Sequence, residues 1–237
     1  MTGLKEKVIL ITGGSKGIGY GVAEALINEG AKVAITSRNK KTAVETADRL
    51  NKLQKGEALG IEADVRDADA QQKAIDAVIK KWGSLDVLVA NAGLGYFGNI
   101  ETLTLEQWRE TIDTNLSGVF YSIKAALPAL KKSKGYIITM ASLAGTNFFA
   151  GGSAYNASKF GLVGFSQAAM LDLRGYGIKV TTIMPGSVAT EFNGAHPNAS
   201  DAWKIQPEDL GQIVVDLLKM HPRTLPSKIE VRPSIPK

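Results

Sequence analysis

Short β-branched apolar runs alternate with longer amphipathic ones along the whole chain, and this alternation constrains the fold more than any other feature. The apolar runs are 8–12, 33–36, 58–61, 85–90, Tyr136–Met140, 180–184 and 229–231. The first, fourth, fifth and sixth are continuously apolar rather than alternating. That is the pattern of strands covered on both faces, as in a parallel sheet lying between helix layers. The intervening segments carry helical periodicity over 17–29, 40–54, Ala68–Trp82, 105–132, 155–175 and 207–218. Gly83, and Gly175 with Gly177, stand where two of these helices must stop. Strand–helix alternation of this length predicts a doubly wound α/β sheet.

No linker, low-complexity tract or break in composition divides the 237 residues, so a single domain over 1–237 is expected. Without cysteine, disulfides and thiolate metal sites are excluded, and the composition suits a cytoplasmic protein. The two histidines, His196 and His221, each precede a proline and read as loop residues, so no metal is expected. The first apolar run is too short for a signal peptide, and none approaches a membrane span. The net charge of +5 is spread without blocks of like charge, which predicts a solvated basic surface and no nucleic-acid partner. The longest stretch without periodicity, 186–205, is long for a connection in a compact domain and reads as a lid; the substrate-covering loop is taken as 186–206.

The first strand runs into Thr12-Gly13-Gly14-Ser15-Lys16-Gly17-Ile18-Gly19 and then a helix. Such a loop turns backbone N–H groups and the positive end of a helix toward a pyrophosphate, with glycines where a Cβ would block the turn or the phosphate. The spacing is G-x-x-x-G-x-G rather than G-x-G-x-x-G. A carboxylate closing the second strand would select NAD by bonding the ribose; here the strand closes on Thr36-Ser37-Arg38-Asn39. Arg38, Lys16 and the Ser37 hydroxyl suit a 2′-phosphate, so NADP(H) is the expected cofactor. Asp64-Val65 after the third strand and Asn91-Ala92-Gly93 after the fourth fall at the carboxyl ends of strands, where open α/β sheets bind ligands.

Tyr155 and Lys159 are spaced i, i+4, one turn apart on one helix face. A free tyrosine titrates near ~10, and a neighbouring ammonium favours its phenolate. Ser142, just past the fifth strand, is placed to hold a substrate oxygen while Tyr155 exchanges a proton. Phe97, Phe148, Phe149, Phe192 and Trp203 lie in segments that could line an apolar substrate pocket.

Taken in order, the 12–19 loop, Asn91-Ala92-Gly93, Asn115, Ser142, the Tyr155/Lys159 pair, and Pro185-Gly186 with Val188 and Thr190 resemble the short-chain dehydrogenase/reductase family in its classical form, among them 3-oxoacyl-carrier-protein reductases and related carbonyl reductases. The resemblance implies a Rossmann-type, seven-stranded parallel sheet with helices on both faces. It implies that Tyr155 is the acid/base, that Ser142 polarises the carbonyl, and that Lys159 lowers the Tyr155 pKa and binds the nicotinamide ribose. Asn115 would hold a relay water through its backbone, and Pro185, Gly186, Val188 and Thr190 would flank the nicotinamide. It further implies hydride transfer between NADP(H) and a carbonyl or secondary alcohol, and a dimer or tetramer built through 105–132 and 155–175. Ala90 departs from the family's usual Asn, and the stretch from Thr190 to Pro207 is short for a family lid. An NAD-dependent alcohol dehydrogenase and a nucleotide sensor without turnover are the alternatives.

Overall fold

Apolar side chains on both faces of the interior strands decide the architecture. The computed structural model describes residues 3–235, two residues short at each end of the domain expected over 1–237. Strands β1 (Val8–Ile11), β2 (Lys32–Ser37), β3 (Glu57–Glu62), β4 (Val87–Ala90), β5 (Tyr136–Met140), β6 (Lys179–Pro185) and β7 (Lys228–Val231) pair in parallel in the order β3-β2-β1-β4-β5-β6-β7. Along β1, Ile9 and Ile11 enter one apolar cluster, while Val8 and Leu10 enter the other. The first cluster lies beneath α1 (Gly17–Asn28), α2 (Lys40–Asn51) and α7 (Pro207–Lys219). The second lies beneath α3 (Ala68–Trp82), α5 (Gly118–Ser133) and α6 (Ser153–Leu173). The four continuous apolar runs are interior strands, and the half-exposed edges, β3 and β7, carry charged residues that discourage further pairing.

Local signals set the helix starts. Asp67 accepts from the backbone N–H groups of Asp69 and Ala70 to start α3. Thr104 and Gln107 form a reciprocal capping box for α4 (Leu105–Ile112), and Pro207 opens α7. The expected single helix over 105–132 is instead two helices, α4 and α5, joined by a π turn at Asp113–Ser117. The extra residue in that turn rotates Asn115 into the interior, where it is fully buried.

Strand order reverses at β1, whose neighbours are β2 and β4. This leaves a crevice at the carboxyl ends of the strands, where α/β sheets take ligands. α1 starts at that crevice and is held from behind by α7. The two helices approach backbone to backbone: a Cβ on Gly211 would lie 2.6 Å from the Gly21 carbonyl oxygen and 2.9 Å from Ala25 Cβ. Gly211→Val should therefore overpack this crossing and lower the unfolding temperature by roughly 3–10 °C in a thermal melt. An unchanged melt would show that the crossing does not hold α1.

Candidate active site

The carboxyl ends of β1, β2, β4, β5 and β6 and the start of α6 enclose a cleft of about 800 Å³. Gly13, Ser15, Lys16, Gly17, Ile18, Ser37, Arg38, Asp64, Val65, Asn91, Ala92, Gly93, Ser142, Tyr155, Lys159, Pro185, Gly186, Val188 and Thr190 all line it. Of the catalytic and cofactor-binding residues expected from the sequence, Gly19 and Asn115 do not line it. A Cβ on Gly19 would lie 2.5 Å from both Asn91 Nδ2 and the Gly13 carbonyl oxygen, so its part is to let α1 close on the loop. Asn115 lies behind the wall. Its carboxamide accepts from the Leu94 N–H at 2.9 Å and donates to the Leu94 carbonyl at 2.8 Å and to Ser158 Oγ at 3.0 Å.

The glycine loop is braced from two strands. The Thr12 hydroxyl accepts from the N–H groups of Asn91 and Ala92 at 3.0 and 3.1 Å. Asn91 Nδ2 donates to the carbonyls of Thr12 and Gly13, both at 3.0 Å, so this side chain serves the loop rather than projecting at a ligand. Gly13 sits at φ 64°, where a side chain would be strained, and its added Cβ would meet Ala92 Cα at 2.9 Å. α1 begins with no side-chain cap and no acidic residue in its first turn, which leaves its amide end open to an anion.

At the other end of the cleft, Asn156 ties the Ser142 segment to α6. Its Nδ2 donates to the carbonyls of Ala144 at 2.7 Å and Asn147 at 2.8 Å, a buttress that sequence reading missed. Ser142 caps a short 3-10 turn, accepting from the Ala144 N–H at 3.1 Å, and its hydroxyl also hydrogen-bonds the Tyr155 phenol. Burial raises the Tyr155 pKa and the Ser142 bond works against the rise. The lowering expected from Lys159 is therefore not the governing influence in the folded chain. Lys159 is itself buried, with Nζ 3.1 Å from the Met140 carbonyl oxygen and 5.6 Å from the Tyr155 ring centre. Burial lowers its pKa from 10.5 to about 8.

Aromatic rings close over Tyr155. Phe97 packs edge-on to it at 5.4 Å and Phe192 lies at 5.8 Å. Gly95 makes room, because a Cβ there would sit 3.0 Å from both the Phe97 and Tyr155 rings. Phe149 joins through Phe97 at 5.8 Å, whereas Phe148 is 87% exposed and Trp203 stands outside the cleft lining. Phe192 belongs to the 186–206 loop, which is pinned at its base by parallel pairing of Val188 with Ile205. Arg66, Glu110 and Tyr96, which sequence reading passed over, gather beside Arg38 and Asp64. Arg66 bonds Asp64 at 2.6 Å and Glu110 at 3.0 Å, holding the Asp64 carboxyl below its ordinary range.

The chain as a whole is similar to known proteins. The family model for short-chain dehydrogenases matches residues 7–200. Trans-4-hydroxycyclohexanecarboxylate dehydrogenase of Sinomonas cyclohexanicum is 37% identical over 190 residues, 78% of this chain and 73% of that protein. An alcohol dehydrogenase of Thermococcus sibiricus, solved with 5-hydroxy-NADP, superposes with a TM-score of 0.92 at 29% identity, covering 98% of this chain and 99% of that one. A short-chain dehydrogenase of Burkholderia cenocepacia, solved with NADP, does so with a TM-score of 0.88 at 32% identity, covering 98% of each chain. With the sheet order, the glycine loop and the Tyr155/Lys159 helix now placed, the chain belongs to the short-chain dehydrogenase/reductase family and is an oxidoreductase of that type.

Proposed function

We propose that the protein transfers a hydride between NADP(H) and a ketone or the corresponding secondary alcohol, acting as a ketone or 3-oxoacyl reductase in the cytoplasm. The observation that carries this reading is the convergence of Ser142, Tyr155 and Lys159 on one cleft with the glycine loop. The uncapped α1 terminus and the Gly13 cradle fit a pyrophosphate, and Ser37, Arg38 and Lys16 line the same cleft. The NADP-complexed relatives and the one named for an alicyclic alcohol support the same reading.

A nicotinamide cofactor, when bound, supplies or accepts the hydride. Ser15, Lys16, Gly17 and Ile18 would hold its pyrophosphate; Asp64 and Val65 would border the adenine; Asn91, Ala92 and Gly93 would offer backbone to its centre. Pro185, Gly186, Val188 and Thr190 would flank the nicotinamide, and Lys159 would bind the adjoining ribose. The chemistry of the chain's own groups follows from their protonation. A phenol whose pKa is raised by burial stays protonated at neutral pH, so Tyr155 is a proton donor to a developing alkoxide. Ser142 hydrogen-bonds the same oxygen and stabilises its charge. Both amide hydrogens of Asn115 are spent on Leu94 and Ser158, so a relay water would be held by its backbone rather than by its side chain. The Phe97 and Phe192 rings beside Tyr155 favour an apolar group next to the carbonyl. The exposed apolar residues Phe120 of α5 and Phe160 and Leu171 of α6 support self-association through these helices.

A panel of ketones and 3-oxoacyl thioesters, followed by NADPH oxidation with NADH run beside it, tests the assignment. Tyr155→Phe should lower turnover by about 10²–10⁴-fold while NADPH still binds. Wild-type turnover in that variant would contradict the role given to Tyr155.

The Lys159 shift carries a consequence for stability. Its folded pKa of about 8 lies below the ordinary 10.5, so the contribution is favourable above the unfolded pKa and is lost as pH falls through the folded value. At pH 7 the buried charge costs about 3 kcal/mol, partly offset by the bond to Met140. Lys159→Met should therefore raise the unfolding temperature at pH 7 by several degrees while abolishing turnover, and this advantage should shrink between pH 8 and 10. A variant that melts below wild type at pH 7 would contradict this.

A further inference from the structure

Arg38 already has an anionic neighbour. Glu110 of α4 places Oε1 3.7 Å from Arg38 Nη1, and the Arg38 side chain is 65% exposed. The Glu110 carboxylate is held in place by two stronger bonds: Oε1 accepts from Arg66 Nη1 at 3.0 Å, and Oε2 accepts from the Tyr96 hydroxyl at 2.7 Å. Arg66 is in turn clamped on Asp64, through Nε to both carboxylate oxygens at 3.1 Å and through Nη2 at 2.6 Å. Arg66 is thus engaged by two carboxylates, whereas Arg38 keeps one long contact. The bond to Glu110 also raises the Tyr96 pKa, which keeps that hydroxyl a donor. Glu110 stands in the last turn of α4, whose start is fixed by a capping box, so its position comes from a rigid element.

We propose that Glu110 is a specificity-determining residue for the cofactor: its carboxylate competes with a 2′-phosphate for Arg38 and sets how strongly the cleft prefers NADP(H) over NAD(H). This rests on the reading of Arg38 given under Proposed function. A phosphate dianion that reaches Arg38 also comes within range of the Glu110 charge, and the like charges repel. Binding it requires Arg38 to leave Glu110 or to serve both anions at once. A ribose with a free 2′-hydroxyl brings no charge, so the penalty falls on the phosphorylated cofactor alone. The carboxylate that moderates selection thus comes from a helix, not from the end of β2.

Isothermal calorimetry of the full chain with adenosine 2′,5′-bisphosphate and with 5′-AMP tests this without turnover. Glu110→Gln keeps the size and one oxygen to accept from Arg66, replaces the other oxygen with an NH2 that can donate to the Tyr96 hydroxyl, and removes the charge. It should tighten bisphosphate binding by about two- to sixfold at low salt and leave 5′-AMP within about twofold. The gain should diminish at high ionic strength and be largely lost in an Arg38→Ala background. Glu110→Asp withdraws the same charge by one methylene and should shift affinity in the same direction, which covers a poorly folded Glu110→Gln. An unchanged or weaker bisphosphate affinity, an equal gain for 5′-AMP, or a full gain without Arg38 would overturn the proposal. If Arg38→Ala alone does not weaken bisphosphate binding, the NADP(H) reading of Arg38 fails. If it does weaken binding and Glu110→Gln gives no gain, only the role of Glu110 fails.

Discussion

The Asn115 carboxamide joins the two halves of the cleft. It bonds both backbone groups of Leu94, in the segment that leaves β4, and it donates to Ser158 on α6, whose hydroxyl donates to the Tyr155 carbonyl. The cleft wall at Leu94 and the helix that carries Tyr155 are therefore registered through one buried side chain. A buried amide left unbonded is expensive, so these three bonds select one relative position of the two elements. The π turn at Asp113–Ser117 exists in the service of this contact, since it aims Asn115 inward from what would otherwise be one continuous helix.

The chemistry at the other side of α6 depends on burial. Tyr155 and Lys159 are both moved away from their ordinary pKa values by loss of water, in directions that bring the phenol and the ammonium toward their neutral forms. The fold tolerates an ammonium here because the Met140 carbonyl at the end of β5 accepts a hydrogen bond from it. Such a cation is poor material for stability and good material for moving protons near neutral pH, which is the usual division at functional sites. Asn156 and the Ser142 cap hold the third member of the group, so the geometry rests on the ends of β5 and α6 rather than on the loop that carries Phe192.

Much of this was legible in the sequence. The continuous apolar runs marked the interior strands because each must satisfy a helix layer on both faces, and the glycine loop marked the open start of α1 because its glycines leave backbone amides free where a strand turns into a helix. The helix break at Asp113 was not legible: the apolar periodicity of α4 and α5 continues across it, and a single inserted residue leaves little trace. The bracing roles of the Asn91 carboxamide and of Gly19 were not legible, because a glycine loop and an Asn-Ala-Gly turn read the same whether they approach a ligand or brace the chain. Glu110, Arg66 and Tyr96 were invisible because their partnership spans distant segments, and each looks alone like an ordinary surface residue. The aromatic residues divided for a similar reason. Phe97 and Phe192 meet over Gly95, while Phe148 turns outward.

The central claim is that this cleft delivers hydride to a carbonyl while Tyr155 supplies the proton. Deuterium tracing measures it most directly: NADPH deuterated at the transferable C4 position is incubated with a ketone that the protein reduces, and the alcohol is analysed by mass spectrometry. The account predicts one deuterium on the carbinol carbon per turnover in the wild type and labelled alcohol formed about 10²–10⁴-fold more slowly with Tyr155→Phe. Alcohol formed without the label, or labelled alcohol formed at the wild-type rate by Tyr155→Phe, would contradict it.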